Sequence, residues 1–291
     1  MFSANQVNQD IGREKKGTYY DREYFENPNL SGYIDGYQYE IYKAYFDNIA
    51  KFIVEKFQPE SVLDIGCAKG YLVKSFLDLG INAYGVDISA YAINNSLPEV
   101  RSRLKLCDIE QEKLPFNDDS FDVVIMSEVI EHLREIKFAM KEIKRVLKTE
   151  GIIYLTTPTP KWKLYDPTHI NIHDIDFWRE FFKECGFDCE ILPYIKSPEA
   201  KDVIEMLNPE KNRFLQSKMG ELLVKWLSNL ILYFRSAAKL NNLILKLCFA
   251  IKCAEYEMVR IRVILKTKND CDDQDRFGKR QKGKGKNIYR E

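Results

Sequence analysis

The 291-residue sequence has few chain-breakers, with 14 glycines and 10 prolines, and only three histidines. Set against 45% hydrophobic and 13% aromatic residues, that scarcity excludes a disordered, collagen-like or low-complexity chain and leaves ample side chains for a core. No uncharged apolar run reaches the ~18–20 residues of a bilayer-spanning helix. The opening residues, MFSANQVNQDIGREKK, lack the apolar stretch of a secretory leader. The seven cysteines form no C-x-x-C pair, and an odd count in a lysine-rich chain fits reduced thiols. These features predict a cytoplasmic protein. The 44 basic and 44 acidic residues cancel, so no overall field draws the chain to nucleic acid.

What the chain does have is an alternation of two periodicities. Residues 1–36 hold an aromatic-rich N-terminal arm, and the stretch GTYYDREYFENPNLSGYIDGY, which runs on to Tyr37, has five tyrosines that with Phe25 are expected to pack on something. From residue 37 to 57, Ile41, Tyr45, Ile49, Phe52 and Ile53 follow helical spacing. Strands are predicted at 61–65, 83–86, 104–107, 121–126 and 152–156. Between them lie a helix over 71–79 stopped by Gly80, and another carrying Ile136, Met140, Ile143, Val146 and Leu147, closed by Gly151. Asp174 is placed to N-cap a helix burying Phe177, Trp178, Phe181 and Phe182, with Gly186 ending it. Strands at 187–192 and 257–266 follow. The pattern predicts an α/β fold: a doubly wound, Rossmann-like, seven-stranded and mostly parallel sheet with a helical insertion before the last strand. The core domain would span 37–195 plus 255–268.

In such a sheet ligands bind beyond the carboxyl ends of the strands, where strand order reverses. Four features fall there. VLDIGCAKG (62–70) carries glycines that allow a tight turn and close backbone approach. Asp87 lies 23 residues after Asp64, at the next strand end, where a carboxylate can accept from both hydroxyls of a ribose. Asp108-Ile109 pairs an acid for an exocyclic amine with an apolar cover for a flat base. The fourth is SEVIEHL, beginning at Ser127. A dinucleotide fingerprint would have glycine where Ala68 stands, and Asp64 would repel a diphosphate while attracting an ammonium group. A ligand with ribose, adenine and a cation but no phosphate fits, which describes S-adenosylmethionine. Helix capping by Asp87 and Asp108 is the plainer reading of those two acids.

On VLDIGCAKG, YGVDIS, LCDIEQEKLPFNDDSFDVVIMSEVIEHL and TEGIIYLTTP, residues 18–195 resemble the class I S-adenosylmethionine-dependent methyltransferases of the UbiE/type 11 group. The resemblance implies a cofactor site of Asp64, Gly66, Cys67, Gly70, Asp87, Ile88, Asp108, Ile109 and Ser127. In it, Asp64 and the Gly66 loop line the methionine and ribose region, Asp87 binds the ribose hydroxyls and Asp108-Ile109 binds adenine. The stretch D-P-T-H-I-N (166–171) is similar to a loop of family members associated with surface-polysaccharide and lipid-linked glycan assembly.

Methyl transfer needs alignment, plus a base if the acceptor must lose a proton. Asp166 and His169 are the candidate catalytic pair, the acid orienting the imidazole. Alternatively His169 and Asn171 only brace the loop. A metal held by His169 and His173 is not expected, because Pro167 argues against the helix that would align them. His132 is read as a packing or cofactor-contact residue. The expected activity is O-methylation of a small-molecule or glycan acceptor. Methylation of RNA or protein, or cofactor sensing without catalysis, are the alternatives, and no nucleic-acid partner is expected. Residues 222–254 hold five basic and no acidic side chains on two amphipathic stretches. Within the 196–254 insertion, these read as a helical hairpin serving as lid or homodimer surface, or as a peripheral contact with the inner face of the membrane through 222–252. Residues 269–291 read as a disordered basic tail.

Overall fold

The alternating pattern is realised in seven strands: β1 (Ser61–Ile65), β2 (Asn82–Asp87), β3 (Leu104–Leu106), β4 (Phe121–Ser127), β5 (Leu147–Pro158), β6 (Phe187–Ile191) and β7 (Arg260–Thr267). They form one sheet in the order β3-β2-β1-β4-β5-β7-β6. β1 to β5 pair in parallel, and β7 runs antiparallel to both of its neighbours, β5 and β6. The helices are α1 (Lys16–Tyr19), α2 (Arg22–Glu26), α3 (Pro28–Ser31), α4 (Tyr39–Phe57), α5 (Tyr71–Asp78), α6 (Ala90–Asn94), α7 (Ile136–Val146) and α8 (Ile175–Glu184). This is a Rossmann-like α/β fold with a mostly parallel sheet, as expected. The computed structural model describes residues 16–31, 33, 35–160, 166, 168–192 and 260–267. The 196–254 insertion, the 269–291 tail and residues 1–15 of the arm lie outside the described residues.

Period-two alternation sends neighbouring strand residues to opposite faces. Leu63, Val124, Met126, Ile153 and Leu155 pack with Met140 and Ile143 of α7 and Trp178 and Phe182 of α8. Val62, Val123, Ile125 and Tyr154 pack with Ile49 and Ile53 of α4 and Val73 and Phe76 of α5. The central strands are therefore apolar on both faces, and β1 is buried throughout. A third cluster joins Phe25, Tyr37 and Tyr42 to Ala68, Tyr71 and Ala92, so the aromatic arm packs on the ends of the strands and on α5.

Two expectations are corrected. Leu147 and Gly151 do not close α7. That helix ends at Val146, and Leu147 opens β5. Leu147 pairs with Phe121 and Ile152 with Val123, so residues 148–151 bulge out of the ladder. Glu150 takes φ 64° there, and a Cβ on Gly151 would stand 2.8 Å from the Lys148 carbonyl oxygen. The glycine serves the bulge. Phe177 is 41% exposed, while Trp178 and Phe182 are fully buried. In the first turn of α8 its ring stacks on His173, 3.7 Å between centroids, instead of entering the core. Phe182→Ala is accordingly expected to cost about 3–5 kcal/mol in urea unfolding, and Phe177→Ala less than about 1 kcal/mol.

Candidate active site

The site is built first from the turn that joins β1 to α5. The Gly66 and Cys67 amides both donate to the Val86 carbonyl, at 2.9 and 3.0 Å, which draws the turn over β2. Gly66 (φ 75°), Ala68 (φ 48°) and Gly70 (φ 77°) are left-handed. A Cβ on Gly66 would lie 2.3 Å from Val129 Cγ2, and one on Gly70 would lie 2.8 Å from Leu104 Cδ1, so both positions lack room for a side chain. Ala68 adopts the left-handed conformation without glycine's freedom, and its amide donates to Asp87 Oδ2 at 2.7 Å. Asp87 Oδ1 accepts the Ser89 amide at 2.7 Å. An ionised carboxylate offers about four acceptor positions, so Asp87 can fix the turn and still accept from a ligand.

Burial pushes the Asp87 carboxyl up, and its backbone donors pull against that shift. Asp64, only 5% exposed, is pushed well above the usual carboxylate range, first by burial and then by Asp87. Among the described residues nothing donates a hydrogen bond to it. A buried acid with a second acid beside it and no donor of its own is a place for a cation.

The other expected cofactor residues sit around this pair. Asp108, at the end of β3, accepts the Glu110 amide at 3.0 Å and Gln111 Nε2 at 2.6 Å, so it caps its own turn. Ile109 is buried in the core, and Ile88 is half-buried beneath Gly17 of the arm. The Cys67 thiol packs among core side chains, close against Gly85. Ser127 Oγ bonds Thr156 Oγ1 at 2.8 Å, and Thr156 Oγ1 donates to Glu128 Oε1 at 2.9 Å.

A second loop is held on the turn after β4. The Glu131 carbonyl accepts the Ile170 and Asn171 amides at 2.8 and 3.0 Å, and Asn171 Nδ2 donates to the Leu133 carbonyl. Asn171 is thus a brace. The fully buried Glu131 accepts from Thr157 Oγ1 at 3.1 Å. His169 Nε2 stands 3.6 Å from Asp166 Oδ2, within ion-pair reach but beyond a hydrogen bond. Asp166 Oδ1 instead takes the Thr168 amide at 2.8 Å and the Thr168 hydroxyl at 2.6 Å. Thr168 Oγ1 also lies 2.8 Å from His132 Nδ1, and the His132 and His169 rings are 4.7 Å apart. Glu131, His132 and His169 bring three ligand-type atoms within 4.8 Å of one another, a grouping a divalent ion could draw together. The histidine pair weighed from the sequence, His169 with His173, is divided between different partners: His169 meets His132, and His173 stacks on Phe177.

The sequence motifs held Glu131 and Thr168 without giving either a role, and residue spacing gave no sign of Tyr20 at this place. Tyr20 arrives on the arm: its carbonyl accepts from Ser89 Oγ, and its ring stands edge-on to His132 at 6.0 Å. Its hydroxyl is buried near Thr168, Asp166 and Glu131, and that burial raises it above a tyrosine's ordinary range. Lys69, inside the glycine turn, donates to the Tyr37 carbonyl at 3.3 Å and sits over the Phe25 and Tyr91 rings. The arm therefore ties the β2 end to the loop after β5.

Because the Asp64 carboxyl is raised in the fold, the native state holds its proton over a pH range where the unfolded chain has lost it. Its contribution to stability therefore falls as pH rises above the ordinary value of 3.8. Asp64→Asn is expected to stabilise the ligand-free protein at pH 7 by about 1–3 kcal/mol and to flatten its stability–pH curve, as read by denaturant unfolding across pH.

Residues 63–155 match a family model described as "Methyltransferase domain". The chain is 30% identical over 106 residues to the ubiquinone biosynthesis O-methyltransferase of Pelagibacter ubique (strain HTCC1062), covering 36% of this chain and 44% of that protein. It is 25% identical over 189 residues to the malonyl-[acyl-carrier protein] O-methyltransferase of Legionella pneumophila, covering 56% of this chain and 66% of that protein. The chain thus spans less than half the length of the first of these relatives. A solved structure of a SAM dependent methyltransferase from Archaeoglobus fulgidus shares the fold, with a TM-score of 0.50, 18% identity, and coverage of 85% of this chain and 100% of the other.

Proposed function

We propose that the chain, whose residues 63–155 match a methyltransferase-domain model, is a class I S-adenosylmethionine-dependent O-methyltransferase acting on a small molecule or glycan. The observation that carries the reading is the Asp64–Asp87 pair around a left-handed glycine turn: two buried acids, one with no hydrogen-bond donor among the described residues, favour a cationic ligand and disfavour a phosphate-bearing one. Asp64 would face the cationic methionine part of the cofactor and Asp87 the ribose hydroxyls. Gly66, Cys67 and Gly70 would bring their backbone close to it. Ile88 and Ile109 would flank the adenine, Asp108 would take its amine, and Ser127 would close the site from β4.

The bound cofactor supplies an electrophilic methyl group. The chain's own part is to hold the acceptor oxygen in line with it, to keep water out and to take a proton from the hydroxyl. Asp166 and His169 would face the acceptor, and what supports this is that their loop is fastened to the turn after β4 and lies under Tyr20. The O-methyltransferase names of the relatives support a hydroxyl acceptor, and the D-P-T-H-I-N stretch supports a glycan among the acceptors to be tried.

Calorimetry with S-adenosylhomocysteine tests the reading. The protein should bind it, and Asp87→Ala should weaken binding about tenfold or more while the circular dichroism spectrum stays native. Transfer of labelled methyl to a panel of phenols, hydroxy acids and sugars then identifies the acceptor. Binding of NAD in place of S-adenosylhomocysteine, or of neither, would sink the proposal.

A further inference from the structure

The arm is fastened to the body in two unequal parts. Its root, α2 with Tyr37, is anchored many times over. Phe25 and Tyr37 are buried in a cluster with Tyr42 and Tyr71, and the Tyr91 hydroxyl donates to the Glu26 carboxylate. The Tyr37 amide donates to the Phe25 carbonyl at 2.8 Å, and the Tyr37 carbonyl accepts from the Tyr71 hydroxyl at 3.0 Å. The tip, residues 16–20, is the four-residue helix α1 and Tyr20, and it is only partly buried. It meets the body at both edges of the cleft where the cofactor would lie. On the β2 side a Cβ on Gly17 would stand 3.1 Å from the Ile88 carbonyl oxygen, and the Tyr20 carbonyl accepts from Ser89 Oγ. On the β4 side the Tyr20 ring stands edge-on to His132. Within the arm the same ring leans on Tyr24, 4.9 Å between centroids. Tip and root join at Asp21, whose backbone is extended (φ −96°, ψ −163°) and whose carboxylate caps α2 through the Glu23 and Tyr24 amides. A rotation between residues 20 and 21 would leave that cap and the root in place.

Laying the tip down has a cost. Tyr20 Oη is buried with no hydrogen-bond partner among the described residues. The Thr168 hydroxyl stands near it but out of bonding geometry, and gives its own proton to Asp166 Oδ1 at 2.6 Å. A hydroxyl buried without a partner forfeits its hydrogen bonds to water, and lifting the tip restores them.

We propose that residues 16–20 are a strap across the cofactor cleft, which closes on the bound cofactor and must lift about Asp21 before the cofactor leaves; this rests on the cofactor site proposed above. The strap lies on Ile88 and Ser89, next to Asp87, and reaches the turn after β4, so a ligand held between those strand ends lies beneath it. Contacts between ligand and strap exist only in the closed state, so the ligand draws the population toward closure by that difference in affinity. The unpaired Tyr20 hydroxyl weakens closure and lets spent cofactor escape.

The test uses the full chain with S-adenosylhomocysteine as probe. Chymotryptic cleavage after Tyr19 and Tyr20, measured relative to other sites in the chain, should slow about tenfold or more when the protein is saturated with it. Tyr20→Phe keeps the ring and removes the unpaired hydroxyl. It should slow the same cleavage about threefold in the free protein, and slow release of radiolabelled S-adenosylhomocysteine into an unlabelled chase by a similar factor. Tyr20→Ala loses the ring that bridges the cleft and should speed that release about tenfold. Cleavage indifferent to the ligand, or release indifferent to both substitutions, would overturn the strap. Faster release from Tyr20→Phe would overturn it too, because the hydroxyl would then be making a bond that closure needs. If Tyr20→Ala does not fold, Tyr20→Phe and the ligand's effect on the parent decide. A parent that does not bind S-adenosylhomocysteine strikes the methyltransferase reading and the strap with it, whereas tight binding with unchanged cleavage strikes the strap alone.

Discussion

The rest of the site depends on one buried carboxylate. Asp87 sits at the end of β2, where desolvation opposes its charge, and two backbone amides hold it there. One belongs to Ala68 in the glycine turn and the other to Ser89 at the head of α6. Through Ala68 the acid fixes the conformation of the turn. Through Ser89, whose hydroxyl donates to the Tyr20 carbonyl, it anchors the arm. The same residue is thus a capping group, as its sequence position allowed, and lies at the point where the fold opens.

The arm makes two half-sites into one. Gly17 lies on Ile88, and Tyr20 spans from Ser89 to His132. Phe25 and Tyr91 bracket Lys69, whose ammonium is partly desolvated and held below its ordinary pKa by that burial. Tyr37 lies flat on Tyr71, 4.7 Å between centroids, and its carbonyl accepts from the Tyr71 hydroxyl. These contacts join aromatic rings to the first residues of α5 and α6, so the arm covers the mouth of the sheet with apolar area, and the Tyr20 and Tyr37 carbonyls accept from the strand-end turns and α5. Water exclusion by such a cover strengthens every electrostatic contact beneath it.

Much of the fold was legible because its signals are local. β1 runs over the residues that the sequence pattern marked, and Gly80 and Gly186 follow their helices with φ of 78° and 83°. Each depends on a few neighbouring residues. Gly151 misled for the same reason: a glycine after a helical stretch reads as a cap, yet β4 recruited Leu147 into its ladder and turned the glycine into part of a bulge. Phe177 kept helical register with Phe181 but lies in a first turn whose nearest surface is His173, and no local pattern reports that. Asp64, Gly66 and Asp87 were readable as a group because strand ends in a parallel sheet converge by construction. Thr168, Glu131 and Tyr20 were not, since their contacts with His132 and its neighbours join segments far apart in the chain.

By itself the sequence determined the alternation of strands and helices, the left-handed glycine turn and the two acids at adjoining strand ends, all of which follow from short-range sterics and periodicity. Only the tertiary structure decided that β7 enters antiparallel between β5 and β6, that the arm reaches across the sheet to roof His132, and that Asp166 gives its short hydrogen bonds to Thr168 and not to His169. The physical reason is the same for all three. Long-range pairing is settled by which surfaces bury each other and which acceptors remain for a given proton, and both depend on residues that meet only when the chain is folded.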